Sequence, residues 1–268
     1  MVEVQQEDYS EARNQFRTKL TRRGPSPQPF DPLKTPTGVT EIEYSSGELR
    51  LKAWLGREAD QTRKHPAILF LHGGFAFGSA DWEINQPYRD AGYVVLTPML
   101  RGENGQHGAY SFYYDEVSDV LAAADYLRNL PYVDAERLYI AGPSAGGTLV
   151  LLAAMTSTHF RAAASFSAMT DQVLFCKHAK HAARDVPIDI TDLRELQMRS
   201  PLAYAASLKC PCRIYYGSQE PHLQPMSLRT AAVARARGLN AEAIQVEGDH
   251  STSVPPAIKQ SIAFFQKN

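Results

Sequence analysis

Several features that mark particular protein classes are scarce or missing in this sequence. Cysteine occurs only three times in 268 residues, as Cys176, Cys210 and Cys212, which is too few for a disulfide framework. The 28 basic and 29 acidic side chains leave no excess of one charge, so no nucleic-acid or anionic membrane partner is indicated. No apolar run approaches the about 18 residues of a membrane span, and the N-terminus lacks a signal-peptide pattern. We therefore expect a cytoplasmic protein without nucleic-acid or membrane partners.

Patterns that bind metals or nucleotides are also missing. Cys210 and Cys212 flank a single proline and have no second pair of ligands at zinc spacing. His178 and His181 could share a helix face, but no third ligand is fixed beside them. A glycine-rich run that begins at Gly102 does not have the GxGxxG spacing of dinucleotide-binding loops. The sequence thus predicts a protein that uses no metal and no cofactor.

The first 38 residues differ in composition from the rest of the chain, and we expect the main domain over residues 39–268. Apolar residues recur at helical spacing near the N-terminus, which predicts one helix within the first 22 residues. This helix is expected to pack on the main domain or on a second subunit, which would make a homo-oligomer. The proline-rich residues 24–32 predict an extended connector. The apolar stripe consists of Tyr9, Ala12, Phe16 and Leu20.

The main domain shows the pattern of an α/β fold. Residues 41–44 and 48–55 alternate polar with apolar side chains and predict an antiparallel hairpin. Beyond them, strands alternate with helices, which predicts a mostly parallel central sheet covered by helices on both faces. The predicted strands are 66–71, 92–98, 137–141, 161–167, 212–216 and 241–246, and the predicted helices are 115–130, 145–156, 227–237 and 256–266. The long irregular stretch at about 170–200 is expected to form a short cap.

The most informative motif is Gly142-x-Ser144-x-Gly146, which lies between an apolar strand and a helix of small residues. This is the pattern of a nucleophile elbow, in which a serine sits on a tight and strained turn. Larger side chains two residues before or after the serine would clash with neighbouring backbone, so glycine is needed at both places. The motif in this context predicts that Ser144 is a catalytic nucleophile.

Two further candidate catalytic groups follow later predicted strands. Ligands bind beyond the carboxyl ends of parallel strands, so residues directly after each strand are the ones to consider. Glu220 follows one such strand and His250 follows the next, in the order nucleophile, acid, histidine. His250 would take the proton of Ser144, and Glu220 would hold the imidazole in the correct tautomer. Asp171, after an earlier strand, remains the alternative acid.

The oxyanion that forms during acyl transfer needs preorganised hydrogen-bond donors. A His72-Gly73-Gly74 run follows the first strand of the parallel sheet, and its glycines let backbone N–H groups approach a substrate oxygen. We expect the N–H groups of Gly74 and Ala145 to form the oxyanion hole. We expect His72 to brace this loop by hydrogen bonds rather than to act in catalysis.

Aromatic residues are frequent in the loops and in the cap that are expected near the strand ends. An apolar, aromatic-lined pocket is typical of small-molecule sites. The candidate substrate-binding residues are Phe75, Trp82, Tyr113 and Phe175.

At this point the sequence resembles the catalytic domain of the prolyl oligopeptidase family, over about residues 40–267. The resemblance rests on His72-Gly73-Gly74, Arg101-Gly102-Glu103-x-Gly105, Tyr132-Val-Asp-Ala-Glu-Arg-Leu138 leading into the Ser144 motif, Arg199-Ser-Pro-Leu-x-Tyr204 and Gly217-x-x-Glu220. It implies an α/β-hydrolase fold and an activity among dipeptidyl peptidases, acylaminoacyl peptidases and related esterases. The chain departs from the family in two ways. Glu220 stands where the family usually has aspartate, and the length leaves no room for the family's β-propeller.

These observations together predict a serine hydrolase that forms an acyl-enzyme and cleaves a small carboxylic ester. Without a propeller to restrict access, a peptidase role has less support from the sequence than an esterase role. The first alternative is an aminopeptidase or acyl-peptide hydrolase acting on short peptides. The second is a binding protein that keeps the hydrolase fold without turnover.

Overall fold

The computed structural model describes residues 1–56, 60, 62–178 and 185–268. In this part of the chain, one sheet of eight strands has the order β1-β2-β4-β3-β5-β6-β7-β8, and no propeller is present. The strands are β1 (Val39–Ser46), β2 (Leu49–Gly56), β3 (His65–Phe70), β4 (Val94–Pro98), β5 (Val133–Pro143), β6 (Ala162–Phe166), β7 (Cys212–Gly217) and β8 (Ala241–Val246). β1 pairs antiparallel with β2, and β2 pairs antiparallel with β4. Every other pairing in the sheet is parallel.

Helices alternate with these strands along the chain. They are α1 (Tyr9–Gln15), α2 (Ser79–Ile84), α3 (Gln86–Asp90), α4 (Glu116–Arg128), α5 (Ser144–Thr156), α6 (Gln172–His178), α7 (Leu193–Gln197), α8 (Gln224–Arg235) and α9 (Val254–Phe265), with a 3-10 helix at Pro201–Ser207. None of the helices that the structure describes has the length and apolar character needed to cross a membrane. The mostly parallel sheet with its surrounding helices confirms the predicted fold class.

The sheet is buried on both faces, as the sequence of β3 illustrates. Ala67 and Leu69 belong to one core, while Ile68 and Phe70 belong to the other. Successive side chains of a strand point to opposite faces, so a strand that is buried on both sides reads as continuously apolar. Residues of α4, α5 and α8 contribute to the first core, and residues of α3 and α9 contribute to the second.

The N-terminal helix is shorter than the sequence predicts. It ends at Gln15, and Phe16 already has an extended backbone. Leu20 forms a short β-bridge with Ile188 instead of continuing the helical stripe. Hydrogen bonds of Thr18 and Lys19 to the Glu195 carboxylate stabilise the extended path, so tertiary contacts outweigh the helical periodicity in this segment.

The apolar face of α1 is buried within the chain itself. Tyr9 and Ala12 are completely covered, and the Tyr9 hydroxyl donates to the carbonyl of Met198. Lys209 forms an ion pair with Asp8, the N-cap of this helix. Of the two expectations for α1, the structure therefore shows packing on the main domain, and these two residues are not left open to a second subunit.

The proline-rich connector lies against two loops of the main domain. Residues 24–30, which we call the strap, run beside the loops that follow β3 and β4. The backbone of Ser26 donates to the carbonyl of Gly102 at 2.9 Å, and Tyr110 donates to the carbonyl of Gly24 at 3.0 Å. The Ser26 hydroxyl also donates to the carbonyl of Phe75. The strap is therefore held by three hydrogen bonds, which involve Gly24 and Ser26.

The predicted cap region, at about 170–200, contains α6 and α7, and the 3-10 helix follows it directly. Residues 179–184, and with them His181, lie outside the described part of the chain. The fully buried Arg199 holds this region to the rest of the fold. Its guanidinium pairs with Glu195 at 2.6 Å and donates to the carbonyl of Ser111.

Candidate active site

Ser144 occupies a strained turn between β5 and α5. Its φ of +52° lies in the left-handed region, which costs a non-glycine residue free energy. A Cβ atom on Gly142 would lie 2.6 Å from the carbonyl oxygen of Leu71. A Cβ atom on Gly146 would lie 2.7 Å from the same oxygen and closer still to that of His72. Both glycines are thus required by close backbone approach, as the motif predicts.

The structure brings Ser144, His250 and Glu220 together in a line of hydrogen bonds. Nε2 of His250 lies 3.0 Å from Oγ of Ser144, and Nδ1 lies 2.6 Å from Oε1 of Glu220. The three residues follow β5, β8 and β7, so the parallel sheet carries them to one edge. These distances are those of a nucleophile bonded to a base that a carboxylate orients.

The Glu220 carboxylate is buried, and both of its oxygens take part in hydrogen bonds. Oε2 accepts hydrogen bonds from the backbone N–H of Gly217 at 2.9 Å and from the hydroxyl of Ser167 at 2.5 Å. Burial raises the pKa of Glu220, but the bonds from Ser167, His250 and Gly217 outweigh burial and hold its pKa below the ordinary value. The carboxylate is therefore ionised at neutral pH and can stabilise an imidazolium.

The alternative acid, Asp171, lies in a different environment. Its carboxylate accepts the backbone N–H of Val2 at 2.8 Å and that of Leu174 at 3.0 Å. It thus fixes the N-terminus and the first turn of α6, while His250 bonds to Glu220. The two candidate acids have separate structural environments, and the one beside the histidine is Glu220.

Two backbone N–H groups next to Ser144 have no acceptor in the described part of the chain. They belong to Gly74, in the loop after β3, and to Ala145, in the first turn of α5. His72 braces the same loop: its Nε2 lies 2.9 Å from the Glu103 carboxylate and its Nδ1 lies 3.0 Å from the carbonyl of Gly73. Burial lowers the pKa of His72, but the Glu103 carboxylate more than offsets it and raises the pKa to about 9. Gly74 and Ala145 therefore remain the candidate oxyanion hole.

Three of the four predicted substrate-binding aromatics lie around this site. Phe75 and Tyr113 line a small cavity together with Gly74 and Ala145. The rings of Phe75 and Tyr113 are 5.7 Å apart. Phe175, on α6, lines a second cleft that also includes Phe75. These residues form an apolar wall next to the Gly74 loop and the first turn of α5.

Trp82 is placed differently from the expectation. It is buried on the other face of the sheet, where it packs edge-to-face on Trp54 with ring centroids 6.0 Å apart. The Arg89 guanidinium covers its ring at 4.3 Å. Trp82 lies on α2, and this helix turns the side chain into the core rather than towards the strand ends.

Some residues of the site are not apparent from the sequence. Ser167, which bonds Glu220, also has a left-handed backbone with a φ of +47°. A single serine after a strand carries no motif that would have distinguished it. Gln28 of the strap is a second case, because it contacts the loop of Gly74 from 47 positions away. Among the described residues, no group of three or more His, Cys, Asp or Glu side chains could hold a metal ion.

A model of the prolyl oligopeptidase family, Peptidase_S9, matches residues 79–266. The chain belongs to the prolyl oligopeptidase family. The matched region of this family member includes Ser144, Glu220 and His250, and the resemblance inferred from the motifs is thereby confirmed.

Relatives in this family differ widely in how much of their length the chain covers. The uncharacterized peptidase YuxL of Bacillus subtilis is 26% identical over 202 residues, which are 67% of this chain and 30% of that protein. Dipeptidyl-peptidase 5 of Aspergillus fumigatus is 29% identical over 131 residues, 43% of this chain and 18% of that protein. The uncharacterized peptidase YtmA of Bacillus subtilis is 26% identical over 75% of this chain and 79% of its own length. The chain thus spans less than a third of two of these relatives and most of the third.

Solved structures of related peptidases share the fold. The acylaminoacyl peptidase of Pyrococcus horikoshii superposes with a TM-score of 0.70 and 22% identity, covering 85% of this chain and 41% of that one. A puromycin-hydrolyzing peptidase of Mycobacterium tuberculosis gives a TM-score of 0.75 and 22% identity, covering 86% and 40%. At such identities the comparison establishes the α/β-hydrolase fold.

Proposed function

We propose that this family member is a serine hydrolase that cleaves short or N-acylated peptides through an acyl-enzyme, with Ser144, His250 and Glu220 as its catalytic triad. The observation that carries the proposal is the continuous line of hydrogen bonds from Oγ of Ser144 through the His250 imidazole to Glu220. Serine is a poor nucleophile at neutral pH, and such a line supplies the base that it needs.

Each residue has a defined part in the reaction. Oγ of Ser144 attacks the substrate carbonyl carbon while Nε2 of His250 takes the hydroxyl proton. The oxyanion that forms accepts hydrogen bonds from the N–H groups of Gly74 and Ala145. His250 then passes its proton to the leaving group as the scissile bond breaks, and water hydrolyses the acyl-enzyme with the same imidazole as base. Glu220 stabilises the imidazolium in both halves of the reaction.

Membership in a peptidase family supports a peptide substrate over the small ester that the sequence favours. The dipeptidyl and acylaminoacyl peptidases among its relatives point the same way. Activated esters use the same chemistry with a better leaving group, so they serve as probes of the site. The complete line of hydrogen bonds weighs against a binding protein without turnover.

The acyl-enzyme can be trapped directly. The protein is mixed with the 4-nitrophenyl ester of N-acetylalanine, quenched in acid during the first turnover, digested and analysed by mass spectrometry. We expect the acyl mass on the peptide that contains Ser144, and labelling of the same peptide by a fluorophosphonate. Absence of both adducts in folded protein would overturn the proposal.

The choice between peptide and ester is tested with the matching 4-nitroanilide. We expect hydrolysis of the anilide above background, more slowly than the ester, because its amine leaving group depends more on protonation by His250. Hydrolysis of the ester with no detectable anilide hydrolysis would return the assignment to an esterase.

A further inference from the structure

The side chain of Gln28 reaches from the strap to the edge of the candidate oxyanion hole. Its Oε1 accepts the backbone N–H of Phe75 at 2.8 Å. Its carboxamide also lies directly against Gly74, since a Cβ atom on that glycine would lie 2.5 Å from Oε1 and 3.3 Å from Nε2. The carboxamide of Gln28 is therefore a neighbour of Gly74, whose N–H group is one of the two proposed to bind the oxyanion.

The bond to Phe75 also determines which way the carboxamide faces. An N–H donor requires the oxygen of the amide, so the –NH₂ group of Gln28 must be the end that does not face Phe75. Gln28 is exposed, and its Nε2 has no acceptor in the part of the chain that the structure describes. Two N–H donors are thus left available beside Gly74.

The sheet order indicates which part of a substrate would meet these donors. His250 follows β8, on one side of Ser144, whereas Phe75 follows β3, on the other side. His250 must protonate the leaving group, so the leaving group lies on the β8 side. The acyl part of the substrate then extends towards Phe75 and the strap.

An aromatic cleft lies on this acyl side and shares Gln28 as part of its wall. It has a volume of about 210 Å³. Its walls come from the strap, from the loops after β3 and β4, from α6 and from residues 185–186, and Asp185 is the charged residue in the lining. The apolar lining includes Pro27, Phe75, Tyr110, Phe112, Phe175 and Val186. Such a cleft accepts an apolar group, while the Gln28 amide supplies a polar donor at its edge.

We propose that Gln28 is a specificity-determining residue whose Nε2 donates to the carbonyl oxygen of an acylamino group on the acyl side of the scissile bond. The group it selects is an N-acylated aminoacyl or peptidyl residue, as opposed to a plain carboxylic acyl chain. The inference rests on the proposed function and names the substrate class for the same site.

The strap is suited to this task because it is already ordered. Three prolines at positions 25, 27 and 29 restrict its backbone, and the bonds to Gly102, Phe75 and Tyr110 hold it against the domain. A donor that is fixed before the substrate arrives loses little conformational entropy on binding.

Two esters of the same shape test the proposal. One is the 4-nitrophenyl ester of N-acetylalanine, and the other is the 4-nitrophenyl ester of 2-methylpentanoic acid, which replaces the acetamido carbonyl and N–H by methylene groups. The readout is the ratio of their kcat/KM values. We expect the wild type to favour the acylamino ester, and Gln28→Met to lower this ratio about fivefold to tenfold, the worth of one neutral hydrogen bond.

A second variant separates recognition from structure. Gln28→Glu keeps an oxygen for the N–H of Phe75 but has no donor, so it should lower the ratio as Gln28→Met does. A purely structural loss would lower kcat/KM for both esters alike and leave the ratio unchanged. Asp31→Asn, at an exposed position just beyond the strap, is the matched control and should keep the wild-type ratio. Thermal melting of each variant checks that it is folded.

The outcomes also distinguish the two proposals. A wild type that hydrolyses both esters with no preference, or Gln28 variants that keep the wild-type ratio, would overturn the role of Gln28 and leave the serine hydrolase intact. A wild type that hydrolyses neither ester would overturn the proposed function itself.

Discussion

Oε1 of Glu220 lies 2.6 Å from Nδ1 of His250, while Oε2 of the same carboxylate accepts bonds from Gly217 and Ser167. Glutamate is one methylene longer than the aspartate usual at this position of the family. Its bond to the N–H of Gly217, three residues earlier, folds the side chain back towards its own strand end. The added length is thereby accommodated without loss of contact with the imidazole.

Replacing the two candidate acids should affect kcat very differently. Glu220→Gln keeps the shape of the side chain but removes the charge that stabilises imidazolium, so we expect kcat to fall by about 10³-fold to 10⁴-fold. Asp171→Asn should leave kcat near the wild-type value, since Asp171 bonds Val2 and Leu174 rather than His250. Steady-state kinetics on one ester compares them. The reverse ranking would transfer the acid role to Asp171.

Loss of the Ser144 hydroxyl should abolish the reaction while leaving the fold intact. We expect Ser144→Ala to lose ester turnover and fluorophosphonate labelling, with a melting temperature within a few degrees of wild type, because the hydroxyl contributes to chemistry rather than to the core. Ser45→Ala, at an exposed position of β1, is the control and should label like wild type. Undiminished labelling of Ser144→Ala would show that another residue is the nucleophile.

The elbow glycines should be sensitive to a single added methyl group. Gly146→Ala places a Cβ atom 2.7 Å from the carbonyl oxygen of Leu71, so we expect a loss of about 1–3 kcal/mol in the free energy of unfolding. Gly24→Ala, where a Cβ atom meets nothing within 4 Å and φ is not positive, should be nearly neutral. Urea denaturation measures both. If Gly146→Ala were as stable as Gly24→Ala, the close approach at Gly146 would be contradicted.

Glu116 should make stability depend on pH. Burial raises its pKa to about 7 despite hydrogen bonds from Ser111, whereas the ordinary value of 4.5 applies when the chain unfolds. A raised carboxyl pKa means that the folded state holds the proton more tightly. Its contribution to stability is therefore complete below the unfolded pKa and is lost as the pH rises through 7.

The measurement is the free energy of unfolding at about pH 5 and about pH 8, compared between wild type and Glu116→Gln. We expect the wild type to lose more stability over this interval than the variant, by on the order of 2 kcal/mol. Glu48→Gln, at an exposed carboxylate, should keep the wild-type dependence. Identical slopes in wild type and Glu116→Gln would show that this carboxyl does not titrate with the predicted effect.

Much of the architecture could be predicted from local pattern. The strand predicted at 241–246 coincides with β8. The helix predicted at 145–156 matches α5 except that α5 begins one residue earlier, at Ser144. Buried parallel strands read as short continuous apolar runs, and the helices between them are longer, so the sequence distinguishes the two kinds of element. The helical stripe predicted from Tyr9 to Leu20 is wrong beyond Gln15. Contacts of Thr18 and Lys19 with Glu195 outweigh the helical spacing there.

Trp82 shows why a residue's position in the chain does not determine its surroundings. It follows β3 within a loop region near the candidate active site, and this position alone predicts substrate contact. The short helix α2 directs it instead against Trp54 on the opposite face of the sheet. A helix of six residues is too short for its sequence pattern to indicate which side chains face the core.

The sequence by itself determined the α/β fold and the elbow, because both depend on neighbours within a few residues: apolar periodicity in one case and glycine spacing in the other. It also marked His250 and Glu220, since parallel strands bring their carboxyl ends to one edge. Only the tertiary structure decided that Glu220 and not Asp171 meets the imidazole, and that Ser167 and Gln28 border the site. These contacts join residues that are 30, 53 and 47 positions apart, and no local pattern specifies which distant side chains the folded core brings together.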